Sequence, residues 1–88
     1  MSRIEVISIG GGVGFRVRTG GRRFEVTAPA SLAAELGAPD AATLVRASFE
    51  FLLEREPAAS ILPRFDLTVI AQYFPEWRPE MRRRLAGG

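Results

Sequence analysis

The groups in this chain that could do chemistry are carboxylates and arginines. Glu50, Glu54, Glu56, Asp66, Glu76 and Glu80 gather in its second half. Paired carboxylates can divide acid and base work or hold a hard cation. Glu50 and Glu54, however, have the i, i+4 spacing of solvated glutamates on one helix face, and no DxD or ExxH pattern accompanies them. The 88 residues include no His and no Cys. The commonest general base, the commonest metal ligand and the best intrinsic nucleophile are therefore missing. Ser48 has no imidazole to activate it, which excludes a Ser–His nucleophile. Catalysis is not expected, and no cofactor, metal or small-molecule substrate is implied.

All twelve basic residues are Arg; with ten Asp and Glu they leave a formal charge of +2. Arg offers planar, bidentate donors to carboxylates and phosphates. Arg16, Arg18 and Arg23 share one face of a strand pattern, and Arg82, Arg83 and Arg84 are consecutive. Both groups are candidate nucleic-acid contacts. The ordinary use of the first is cross-strand pairing with Glu5 and Glu25, and of the second a solvated helix end paired with Glu76 and Glu80. Phe15 and Phe24 point away from the first group, so it lacks the aromatics of a base-stacking platform. Gly10-Gly11-Gly12-Val13-Gly14 invites a phosphate-loop reading, but a strand pattern follows it rather than a helix, and no Gly-Lys-Ser/Thr is present. A hairpin loop is the expectation there.

Three antiparallel strands are expected to position the first arginines, near 3–9, 13–19 and 22–27. Val13, Phe15, Val17, Phe24 and Val26 form one face; Arg16, Arg18, Arg23 and Glu25 form the other. Gly20-Gly21 is a two-residue hairpin turn. In the first strand Val6 and Ile7 are adjacent, which leaves its register open and allows a bulge. A short helix is expected from Pro29 to Leu36, ended by Gly37, and a main helix over about 40–56, capped by Asp40 and stopped by Pro57. Its apolar arc (Ala41, Leu44, Val45, Ser48, Phe49, Phe51, Leu52, Leu53) is wide enough for burial on two sides, with Arg46, Glu50 and Glu54 opposite. Arg55, at the end of that arc, is expected to reach a carbonyl or a carboxylate such as Asp66 or Glu76. Residues 58–64 read as a connector anchored by Ile61-Leu62. A short helix follows from Leu67 to Phe74 with Asp66 as N-cap, and a last helix from about Pro79 to Leu85. Residues 66–85 also fit a helix-turn-helix loosely, against which stand Pro75, Pro79 and the shortness of the second helix.

The segment from Ser48 to Trp77, SFEFLLEREPAASILPRFDLTVIAQYFPEW, resembles the C-terminal half of a group of short uncharacterised bacterial hypothetical proteins. Their pattern is SFxFLLxREPxxSIL…FDLxxIxxYFPE. The resemblance covers about a third of the chain and implies a small stand-alone α+β domain; it carries over no functional residue.

The chain is read as one α+β domain: a three-stranded antiparallel meander (about 3–27), a short helix, the main helix and one or two short C-terminal helices. No apolar run approaches the ~20 residues of a membrane span. The N-terminus enters charged, strand-like sequence without a signal-peptide pattern, so a cytoplasmic protein is expected. Arg and Ala richness points to a GC-rich bacterial genome. The expected function is a non-catalytic protein–protein interaction or regulatory module, a homodimer or a small accessory subunit of a bacterial assembly. Tyr73, Phe74, Trp77, Phe49 and Leu53 are the candidate protein interface, although the ordinary use of Tyr73, Phe74 and Trp77 in so small a domain is to close the core; an unpaired sheet edge is a further place for a partner strand. The alternative is a small, antitoxin-like nucleic-acid-binding regulator using Arg16, Arg18, Arg23 and Arg82 to Arg84.

Overall fold

The computed structural model describes residues 3–9 and 13–86. Strands β1 (Glu5–Ser8), β2 (Gly14–Thr19) and β3 (Arg22–Thr27) form the antiparallel meander read from the alternation. Gly20 and Gly21 take φ of 58° and 75°, the left-handed pair that a two-residue turn between right-twisted strands demands. Val6 pairs with Val17 and Ile7 with Arg16 in a continuous register without a bulge. That register turns Val6 toward the core and leaves Ile7 exposed. Val13, expected on the core face, lies outside β2 and is exposed; its carbonyl instead accepts the Ala28 N–H at 2.8 Å. The hairpin-loop reading of Gly10–Gly12 lies outside the described residues.

The sheet has a fourth strand. β4 (Arg64–Asp66) runs parallel to β3, pairing Phe65 with Val26, and gives the order β1-β2-β3-β4. Three residues are too few to show a period of two, so by sequence the connector ends at Arg64 and Asp66 is a helix cap, with no strand there. Its place is set by Phe65 entering the core beside Val26, and by Asp66, whose carboxylate accepts the Thr27 hydroxyl at 2.7 Å.

Helices α1 (Ala30–Glu35), α2 (Ala41–Arg55), α3 (Ile70–Tyr73) and α4 (Trp77–Ala86) belong with the core-facing side of the sheet. Asp40 caps α2 as expected, accepting the Thr43 N–H at 2.8 Å. Asp66 begins a single 3-10 turn, Leu67–Val69, that runs into α3. Ala58–Ser60 forms another such turn. α4 begins at Trp77, two residues before the expected start at Pro79. A proline in the first turn costs no helical bond, because its missing N–H would have had no partner. Starting there also places Trp77 and Met81 one turn apart, both buried.

The wide apolar arc of α2 is buried on two sides, against the sheet and against α4. Arg46, Glu50 and Glu54 lie on its exposed side. Arg46 reaches from there to the Ile4 carbonyl at 2.5 Å and ties the lead-in of β1 to the helix. Phe24, Val26, Phe49, Phe51, Leu67 and Trp77 are among the side chains of the core. Thr19 is the exception within it: its Oγ1 is buried with no hydrogen-bond partner among the described residues. Leaving a hydroxyl unsatisfied costs about 1–3 kcal/mol. Thr19→Val keeps the β-branched shape and removes that cost, so it is expected to stabilise the fold by about 1 kcal/mol. A rise in the urea midpoint with an unchanged slope checks this.

Candidate functional site

The C-terminal aromatic residues divide between core and surface. The Trp77 indole is wholly buried, and its Nε1 donates to Ser48 Oγ at 3.1 Å. Ser48 Oγ in turn lies 3.8 Å from Met81 Sδ. A Trp inside a small domain needs one acceptor, and the serine on the apolar arc of α2 supplies it. Phe49 is equally buried, with ring centroids 5.2 Å from Phe24 and 6.0 Å from Phe65. Phe49 and Trp77 therefore leave the candidate interface: a partner cannot reach them in this fold. Leu53 packs, half-buried, against the core.

Tyr73 and Phe74 do come together, on the wall of an apolar groove of about 210 Å³ between the end of α2, the 58–62 turn, β4 and α3. Leu52 and Ile61 help to form its floor, and Leu62 stands at its rim. Tyr73 is 68% exposed and Leu62 47%, so two of the large apolar side chains most open to water flank one depression. Leu62 was not among the candidates. Adjacent residues in extended chain point to opposite sides, so the burial of Ile61 turns Leu62 outward just before Pro63. Arg55 fastens the neighbourhood of the groove. It lies 3.6 Å over the Phe51 ring, donates to the Phe51 carbonyl and bonds Glu76 at 3.3 Å, the second of its two expected carboxylates.

The consecutive arginines are engaged within the chain. Arg84 bonds Glu54 at 2.6 Å and Glu80 at 2.7 Å; Arg83 bonds Glu80; Arg82 lies 3.7 Å from Glu35, which also takes Arg78 at 2.9 Å. Glu80 is an expected partner, whereas Glu76 belongs to Arg55 and not to this cluster. Arg84 joins α4 to α2 and Arg82 lies beside Glu35 of α1, a structural use, while Arg83 pairs within α4; each of the three has a carboxylate beside it. This packing also closes the helix-turn-helix reading: α3 is a single turn, and α4 is held against α2 rather than projecting.

Hydrogen bonds from Arg83 and then Arg84 lower the Glu80 carboxyl from 4.5 to about 2. The hydrogen bond from Arg84 lowers Glu54, and the same partners raise Arg84 above its ordinary value. Burial pushes Asp66 upward, but hydrogen bonds from Thr68 and Thr27 outweigh it and leave it below the ordinary value. Each of these carboxylates favours the folded state when ionised. Their contribution is complete above about pH 4.5 and is lost as pH falls toward about 2, through the folded value of Glu80. Urea midpoints measured down this range are expected to fall, and Glu80→Gln is expected to flatten the slope. Among the described residues no group of three Asp or Glu side chains converges on a metal-sized site.

On the outer face of the sheet, opposite the helices, the cross-strand register sets Glu5 beside Arg18 and Arg18 beside Arg23, and Arg16 beside Glu25 and Glu25 beside Arg64. The expected pairing with glutamate is only half present. Arg18 lies 3.7 Å from Glu5, but Glu25 pairs with Arg64 at 3.5 Å, so neither Arg16 nor Arg23 has a carboxylate within 4 Å among the described residues.

Comparison with protein-family models, with curated proteins and with solved structures finds no match to this chain. No helix among the described residues is long and apolar enough to cross a membrane.

Proposed function

We propose that this chain is a non-catalytic protein–protein interaction or regulatory module, working as a homodimer or as a small accessory subunit of a bacterial assembly. The observation that carries the reading is the groove flanked by exposed Leu62 and Tyr73 and floored by Leu52 and Ile61. Rigid aromatic and aliphatic anchors beside a pocket are the usual centre of a protein interface. The groove adjoins β4, which is the last strand of the sheet among the described residues. A partner segment could therefore add backbone hydrogen bonds to apolar burial.

The simplest partner is a second copy. Light scattering at low and high salt is expected to give a dimer whose mass does not change with salt, because apolar burial is not screened. Leu62→Asp is expected to return it to a folded monomer that loses only the stability association adds, since Leu62 is 47% exposed. A wild-type monomer would favour the accessory subunit over the homodimer. A dimer indifferent to Leu62→Asp would remove the groove from the interface.

A further inference from the structure

The charge of the chain is unevenly placed. The sheet and its lead-in hold Arg3, Arg16, Arg18, Arg22, Arg23 and Arg64 against Glu5, Glu25 and Asp66, an excess of three positive charges. The rest of the chain holds six Arg against seven Asp and Glu and is nearly neutral, with Arg55, Arg78 and Arg82 to Arg84 all ion-paired. Arg3, Arg16, Arg22 and Arg23 have no carboxylate within 4 Å among the described residues. Arg3, Arg18, Arg22 and Arg23 border an open cleft of about 830 Å³ at the β2–β3 hairpin end. Arg16, Arg23 and Arg64 border another of about 510 Å³ beside it. Arg23 belongs to both, so Arg3, Arg16, Arg18, Arg23 and Arg64 form one band across the outer face, while Arg22, paired with Thr19, springs from the other side at the hairpin end.

Arg18 directly faces Arg23 across the strands. Like charges in that position destabilise a sheet, and only Arg18 of the two is eased by a glutamate. The band thus maintains a positive field that the protein itself does not neutralise, on a surface separate from the groove.

We infer that this outer sheet face binds the phosphate backbone of a nucleic-acid duplex, without reading sequence. Arginine recognises phosphate bidentately, and arginines two residues apart along a strand stand about 7 Å apart on one face. Among the described residues the face presents no aromatic side chain, because Phe15 and Phe24 are buried beneath it. Stacking of unpaired bases is thereby excluded, and backbone contact remains. A lipid surface would call for a continuous apolar face beside the charge, where this band has only Ile7 at its margin.

Fluorescence anisotropy of a short mixed-sequence DNA duplex, titrated at several salt concentrations, tests the assignment. Four phosphate contacts give a log–log salt slope of about −3.6, or roughly a hundredfold loss of affinity between 50 and 200 mM salt. Arg16→Gln with Arg23→Gln is expected to reduce the slope by about 1.8 and weaken binding at least tenfold at low salt. Arg23→Glu, a single exposed change, is expected to weaken it further than Arg23→Gln. Arg82→Gln with Arg83→Gln is expected to leave binding unchanged. Melting curves establish that each variant is folded. Absence of duplex binding at low salt overturns the assignment. So does equal loss in the Arg82/Arg83 variant, or tighter capture of anionic vesicles or polyglutamate than of duplex. Because none of these residues lines the groove, Leu62→Asp separates failure here from failure of the interaction module.

Discussion

Trp77→Ala lowers the unfolding free energy by about 3–5 kcal/mol, the range for deleting a large buried aromatic. Trp77 is wholly buried between α4 and α2, and the substitution opens a cavity lined by Ser48 and Met81 while leaving Ser48 without its indole donor. Domains of this size have about 5–15 kcal/mol of stability at most, so the variant stands at the edge of unfolding at ordinary temperature. Each kcal/mol moves the melting temperature of such a domain by about 4–8 °C, and calorimetry reads the loss directly. Trp77→Phe separates the two parts of the effect. It keeps most of the ring volume and loses the hydrogen bond, for an expected cost of about 1–3 kcal/mol. Tyr73→Ala, four residues earlier and 68% exposed, is expected to change stability by no more than about 0.5 kcal/mol. A large effect at Tyr73 with a small one at Trp77 would contradict this packing. Loss of partner binding in Trp77→Ala therefore reports loss of the fold, whereas loss in Leu62→Asp reports the groove.

Phe49→Ala has a comparable effect through a different joint. Its ring stands between Phe24 on β3 and Phe65 on β4, with centroids at 5.2 and 6.0 Å, and it is wholly buried. Removing it costs about 3–5 kcal/mol by the same cavity argument. The damage is also local in a predictable way. β4 is an edge strand of three residues, and its attachment rests on the pairing to β3, the Asp66–Thr27 bond and Phe65 in the core. Without Phe49 the ring of Phe65 loses its neighbour on α2. Amide exchange over 64–66 is then expected to quicken more than over β2, which is held on both sides. Uniform quickening would show that Phe49 supports the whole core equally. Since Phe65 also lines the groove, this variant is expected to weaken partner binding as well, but only alongside the loss of stability.

What was legible in the sequence was local. Alternation of Phe15, Val17, Phe24 and Val26 with Arg16, Arg18, Arg23 and Glu25 determines the meander and its two faces, because a period of two has only one way to bury its apolar side. Asp40 and Pro57 bracket the main helix because capping and the missing proline N–H act within a few residues. The width of the α2 arc already required packing on two sides. β4 was not legible, since three residues show no period and their strand identity comes from β3 alongside. Size alone favoured the core for Trp77, but its acceptor was not legible: burial of its indole depended on Ser48, 29 residues away. The arginines make the same point. By type and spacing Arg82 to Arg84 form the denser cluster, and Arg16 and Arg23 look ready to pair with glutamate. Tertiary packing reversed this by adding Glu35 and Glu54 to the Glu80 already within one helical turn of the former, and by setting Glu25 on Arg64, away from the latter. Backbone preferences and amphipathic period are properties of neighbouring residues, so the chain determines them alone. Which charges are cancelled and which apolar side chains stay wet depends on residues distant in sequence that only the folded packing brings within a few ångströms.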